Sequence, residues 1–183
     1  MGEEKSLPRL AAERPHERSG RKTDIVIHAG DMLLWGLLAT GLLTTLLRAG
    51  QALHLTRMDP TLLLGTMVTP DRDRAKMIGF VIHFLNGWWI ALVYVLFFHA
   101  LGFAEWWLGA LLAVAHTAFV LLVVLPSLPG IHPRMASDES GPTPTRMLEP
   151  PGFLALNYGV RTPAAVLIAH LVYGAVLGAF YNV

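Results

Sequence analysis

Residues 77–101 read MIGFVIHFLNGWWIALVYVLFFHAL, a stretch without a single Asp, Glu, Lys or Arg. It is long enough to cross the hydrocarbon core of a bilayer as a helix without strain. Its apolar residues are continuous rather than alternating, so it does not read as a strand of a β-barrel. Working outward, three further runs share that character. Upstream, MLLWGLLATGLLTTLL follows His28 and Asp31. It leaves about sixteen clean positions where a span takes about twenty, so this helix either includes its polar start or is short. Downstream, a third run begins at Trp106 and meets Pro126 and Pro129, which are expected to end it. The fourth begins near Thr162, with Pro163 suited to its first turn, and ends close to the C-terminus. The expected spans are about 28–48, 77–101, 106–126 and 162–181, an all-α integral membrane protein built as a four-transmembrane-helix antiparallel bundle.

Composition points the same way. The chain has 183 residues, 54% hydrophobic and only 15% charged, with a mean hydropathy of +0.50. Soluble domains carry roughly a quarter charged residues, so a water-soluble fold of this size would lack the polar surface to cover itself. Fourteen basic and thirteen acidic residues nearly cancel, which removes the electrostatic case for nucleic acid. The absence of cysteine excludes disulfides, Cys-based zinc sites, iron–sulfur clusters and thiol chemistry.

Residues 1–24 mix both signs of charge with Pro and Gly and show no apolar periodicity, so a disordered N-terminal tail is expected there, ahead of a transmembrane domain over 25–183. An uncleaved first span fits better than a signal peptide, whose charged region would be unusually long. Residues 59–68, DPTLLLGTMV, have Asp59 as a cap and Pro60 at a first helical position. Ten residues reach only about 15 Å, so an interfacial or re-entrant piece is expected. Alternating spans place both long connections, 49–76 and 127–161, on one face. Arg48, Arg57, Arg72, Arg74, Lys76, Arg134, Arg146 and Arg161 lie on that side, and the balance of basic residues leans towards a cytoplasmic position for it.

His83, His116 and His170 stand away from the ends of three different spans. Helical rise puts them about 9, 15 and 12 Å from the long-connection face, so they are expected in one layer, with Asn86 one turn from His83. Gly79, His83, Gly87 and Ala91 recur at i+4, as do His170, Gly174 and Gly178. Small residues admit close helix contact, which turns these histidines inward; Tyr173 and Tyr94 offer further hydroxyls. The plain reading is a set of interhelical hydrogen bonds. The functional reading is a cavity that handles protons or a polar ligand. No cofactor is predicted; a zinc, copper or iron site on His83, His116 and His170, or haem between His116 and His170, is a lesser reading.

Beyond the third span, His132, Arg134, Asp138 and Glu139 sit among Pro126, Pro129 and Pro133. His132 and Arg134 suit lipid phosphate, an anion or a partner, against the plainer reading of a rigid interfacial loop. Arg57 and Asp59 form a counterpart in the first connection. The run DRDRAK from Asp71 reads as a solvated helix entrance, and Trp106 with Trp107 as an interfacial anchor. Nucleophile elbows, phosphate-binding loops, zincin motifs and paired intramembrane carboxylates are all missing.

The segments HFLNGWW at 83–89, HPRMA at 132–136 and HLVYGAVLG at 170–178 resemble those of small four-helix bacterial inner-membrane proteins of uncharacterised function. The resemblance covers roughly residues 30–183. It implies a multi-pass protein of the bacterial inner membrane and brings no catalytic residue with it. His83, Asn86, His132, Arg134, His170, Tyr173, Gly174 and Gly178 match the pattern of that class. The expected role is binding, assembly or accessory, with the lipid bilayer and a homo-oligomer or membrane-complex partner. The alternative is an oligomeric transporter or channel component using the His/Asn layer.

Overall fold

A computed structural model describes residues 28–137 and 141–183. The expected tail at 1–24 lies outside the described residues, as do Asp138 and Glu139. Among the described residues the secondary structure is helical, with two isolated bridges, Met135–Leu148 and Thr143–Arg146, in place of any strand.

In chain order the elements are α1 (Ala29–Ala52), α2 (Pro60–Thr66), α3 (Arg72–Leu101), α4 (Trp106–Phe119), a π-helical turn (Val120–Val124), α5 (Leu125–Ile131), a 3-10 stretch (Phe153–Tyr158) and α6 (Thr162–Phe180). Because α4, the π-turn and α5 run on without a break, four helices among the described residues are long and apolar enough to cross a membrane. They are Ala29–Ala52, Arg72–Leu101, Trp106–Ile131 and Thr162–Phe180, of 24, 30, 26 and 19 residues.

Several expected boundaries move. The first helix takes in Asp31 and continues past residue 48 to Ala52, where Arg48 and Gln51 hydrogen-bond each other at 3.0 Å. The second span starts at Arg72 rather than 77, because Oδ1 of Asp71 accepts from the backbone N–H groups of Asp73 and Arg74 at 3.0 and 2.9 Å and caps it. Pro126 and Pro129 do not stop the third helix. The π-turn just before them widens the hydrogen-bond ladder by one residue, which absorbs Pro126 in the first turn of α5 despite its missing N–H. The segment at 59–68 is a short helix, α2, with Asp59 as its N-cap: Oδ1 accepts from Leu62 N–H at 3.0 Å.

Helix contacts are set by small residues. A Cβ on Gly174 would lie 2.1 Å from the Gly109 carbonyl oxygen, and one on Gly178 would lie 2.2 Å from that of Glu105. These glycines press the backbones of α6 and α4 together. Gly79 and Gly65 do the same for α3 and α2, where a Cβ would come within 1.7 Å of the Thr61 and Ala75 carbonyl oxygens. Gly87 of α3 receives the Thr40 side chain of α1. The small-residue stripes are therefore consumed within one chain, so an oligomer would have to use other faces.

α6 packs on α4 and α1, α1 packs on α3, and α2 lies along α3. Trp35 of α1 stacks on Phe180 of α6 with ring centroids 4.5 Å apart, and Trp88 Nε1–H of α3 donates to the Leu33 carbonyl of α1 at 2.9 Å. By contrast α3 and α4, joined by a turn at 102–105, barely touch. Gly102, at φ 78°, ends α3 in the left-handed conformation that favours glycine. The two helices then separate and leave a seam between them.

Candidate ligand-binding cavity

The α3–α4 seam opens into a cavity of about 280 Å3. Leu43 and Leu47 of α1 and Val166 of α6 form its back wall. Met58 and the α2 residues Pro60, Leu63 and Leu64 roof it, while Val120, Val124, Leu125 and Leu128 supply the wall from the π-turn and α5. Its exposed lining residues are Trp89 and Phe119, 66% and 55% exposed, with Val124 and Asn86, so the way in is apolar but for one amide.

His83, Asn86, His116, His170 and Tyr173 all line this one cavity. His116 and His170 meet edge to face with ring centroids 4.7 Å apart. Tyr94 and Tyr173 complete a four-ring cluster, 5.6 Å from each other and 6.1 and 6.4 Å from His116. The cluster is tied to its helices unevenly. The Tyr173 hydroxyl donates to the Gly87 carbonyl at 2.6 Å and joins α6 to α3. His170 donates from Nδ1 to the Val166 carbonyl one turn back at 2.8 Å. Tyr94 reaches Nδ1 of His116 at 3.5 Å, the outer limit of a hydrogen bond. Nε2 of His83 is buried without a partner, an arrangement that costs about 1–3 kcal/mol unless something fills it. Asn86 is exposed on the cavity side of α3.

Among the described residues, no three His, Asp or Glu side chains stand close enough to hold a metal ion. Nδ1 of His170 is committed to its own helix, which leaves Nε2 as its free nitrogen. The edge-to-face contact of His116 and His170 leaves no room for a porphyrin plane between them.

The long-connection residues act on the roof. Nε2–H of His132, which is 2% exposed, donates to the Leu63 carbonyl at 2.9 Å, while its Nδ1 accepts from Arg134 N–H at 3.1 Å. That pattern fixes the tautomer. The Arg134 guanidinium donates to the Thr66 carbonyl at the C-terminal end of α2. Both side chains thus hold α2 over the cavity, and His132 is not free to meet an anion. Arg57 and Asp59 do not pair with each other. Asp59 bridges to Arg48 at 3.0 Å and Arg57 to Glu149 at 3.1 Å.

Arg57, Asp59, Arg72, Glu149 and Tyr158 surround a separate, more polar recess of about 200 Å3, with Leu63 lining both spaces. Burial, followed by the neighbouring Glu149 carboxylate, pushes the Tyr158 hydroxyl up to about 12 against the opposing pull of Arg57. It stays a donor, bonded to the Glu149 carbonyl at 2.7 Å. Next to it Leu154 and Ala155 take left-handed φ values of 52° and 58°, a conformation costing roughly 1–2 kcal/mol per residue.

Sequence reading singles out the polar cavity residues but passes over the apolar majority. Leu63 and Leu64 belong to the short segment before α3, and Val120 and Val124 look like any other span residues; their one local sign is the run of valines ahead of Pro126. The threonines of α1 return their hydroxyls to their own helix, Thr40 to Gly36 at 2.7 Å and Thr44 to Thr40 at 2.7 Å. The chain matches no family model, no curated protein and no solved structure.

Proposed function

We propose that this chain is a multi-pass integral membrane protein whose role is to bind a ligand drawn from the bilayer into the α3–α4 cavity. Four helices long and apolar enough to cross a membrane support the embedding. So does their outer surface: α1 alone turns Leu33, Leu34, Leu37, Leu38 and Leu42 outward, each 41–50% exposed, a patch a soluble monomer rarely carries. On this reading the four spans alternate in direction. The resemblance of the His83, His132 and His170 segments points to the bacterial inner membrane.

The observation that carries the binding role is the cavity itself. Its lining is mostly apolar and includes three imidazoles from three helices, the usual composition of a ligand pocket. A static contact between helices would satisfy those imidazoles, whereas His83 keeps an unpartnered nitrogen. An accessory or assembly role follows if the bound molecule is presented to another membrane protein.

Native mass spectrometry of the protein in mild detergent tests this reading, comparing wild type with Val124→Trp. Val124 lines the cavity and is 38% exposed, so a larger side chain there fills the space without entering the helix contacts. The expected result is a wild-type chain carrying one small apolar adduct that the variant lacks. Identical adduct profiles for the two proteins contradict the proposal.

A further inference from the structure

Resting on the reading of the α3–α4 cavity as a ligand site, we infer that its ligand is an uncharged amphiphile with a hydroxyl head, a long-chain alcohol or phenol, and not a phospholipid. Two independent features point there.

The first is charge. Among the described residues, no Asp, Glu, Lys or Arg lines the cavity. A phosphate or ammonium head drawn among Leu43, Val166 and Leu128 would lose its hydration without gaining a counter-ion, a cost far above that of an uncharged head. The guanidinium and carboxylate groups lie instead around the separate recess beyond Leu63.

The second is the donor and acceptor pattern. His170 spends its Nδ1–H on the Val166 carbonyl, so its neutral ring keeps Nε2 as an acceptor. The Tyr94 hydroxyl stands 3.5 Å from Nδ1 of His116, a contact either tautomer satisfies, so Nε2 of His116 offers a donor or an acceptor. These rings are in edge-to-face contact, and His83, whose buried Nε2 has no partner, also lines the cavity. A hydroxyl can donate to one imidazole and accept from another at once. A carbonyl or ether oxygen only accepts, and leaves the His170 acceptor unmet. A volume of about 280 Å3 is at the small end of ligand pockets. It houses the head and the first part of the body, and the rest of an elongated molecule leaves past Trp89 and Phe119 into the apolar phase.

The test uses the full chain in mild detergent with three probes: farnesol, farnesyl methyl ether and dioleoyl phosphatidylglycerol. Binding is followed by native mass spectrometry and by the ligand-induced shift in melting temperature. Farnesol is expected to bind saturably, one per chain. Capping its hydroxyl as the methyl ether is expected to weaken binding about tenfold, the loss of the donated hydrogen bond with an acceptor left unmet. Phosphatidylglycerol is expected not to compete.

In His170→Leu the preference for alcohol over ether is expected to shrink several-fold while ether affinity holds. The wild-type alcohol-to-ether comparison needs no variant to fold. Equal binding of farnesol and its ether overturns the inference, as does competition by phosphatidylglycerol. If phosphatidylglycerol binds and Val124→Trp blocks it, the cavity remains a ligand site and only the hydroxyl head is wrong. If none of the three binds saturably and Val124→Trp changes nothing, the binding role falls with it.

Discussion

The α4–α6 contact and the α3–α4 seam use the same kind of helix to opposite ends. Between α4 and α6, Gly109, Gly174 and Gly178 let carbonyl oxygens approach to where a Cβ would stand. The contact is backbone on backbone, with no space left. Between α3 and α4 no glycine meets a neighbouring backbone, the helices barely touch, and a cavity with one unsatisfied imidazole, that of His83, remains. Helices adjacent in sequence are usually adjacent in space, yet here the tight partner of α4 is the last helix of the chain. In a bilayer, where burying apolar surface against protein gains little over burying it in lipid, close approach and van der Waals packing decide which helices pair. Small residues therefore mark the closed interfaces, and the seam between α3 and α4 lacks such a backbone contact.

That contrast can be broken at either interface. The largest effect is expected from Gly174→Val, whose Cβ would be forced onto the Gly109 carbonyl oxygen 2.1 Å away. No monodisperse folded protein should elute from detergent purification. Next comes the roof. His132→Ala removes its buried bonds to Leu63 and Arg134 and should cost about 2–3 kcal/mol. Denaturant titration in mixed micelles reads the loss, with faster hydrogen exchange confined to α2 and its neighbours. Tyr173→Phe removes the 2.6 Å bond that joins α6 to α3 behind the cavity; a loss of roughly 0.5–1.5 kcal/mol is expected by the same titration. Smallest is Glu149→Gln, which breaks an exposed ion pair with Arg57. It should stay within about 0.5 kcal/mol, and less at high salt. A seam variant such as Val124→Trp should leave the melting temperature close to wild type, in contrast to any of the α4–α6 glycines.

Helix existence and the small-residue positions are local properties, and the sequence carries them openly. Residues 77–101 need no tertiary information to read as a helix, and i+4 spacing alone groups Gly174 with Gly178. Helical rise likewise gives the depth of His83, His116 and His170, but not the direction in which each points. Which helix a glycine meets is not local either. Gly79 and Gly87 share a stripe, yet one meets α2 and the other α1.

The remaining features depend on distant partners. Arg57 lies two residues from Asp59 but pairs with Glu149, because α2 and its cap turn Asp59 towards Arg48. The length of the third helix is misread for a related reason. Pro126 is expected to end a regular α-helix, yet a π-turn precedes it and the chain stays helical to Ile131 with Pro129 inside. The cavity wall is built from that irregular stretch, so its boundary and its function are hidden by the same local signal.

Because the chain contains no cysteine, a single label can be placed at will. The most direct measurement is electron paramagnetic resonance on Val124→Cys, spin-labelled and reconstituted in phospholipid vesicles, with accessibility measured to molecular oxygen and to a water-soluble nickel chelate. A seam that opens sideways into lipid predicts high oxygen accessibility, shielding from nickel, and a more immobile label when farnesol is added. A label as accessible to nickel as one placed in the Gly102–Glu105 turn would mean a water-filled path, and would contradict the lipid-facing cavity.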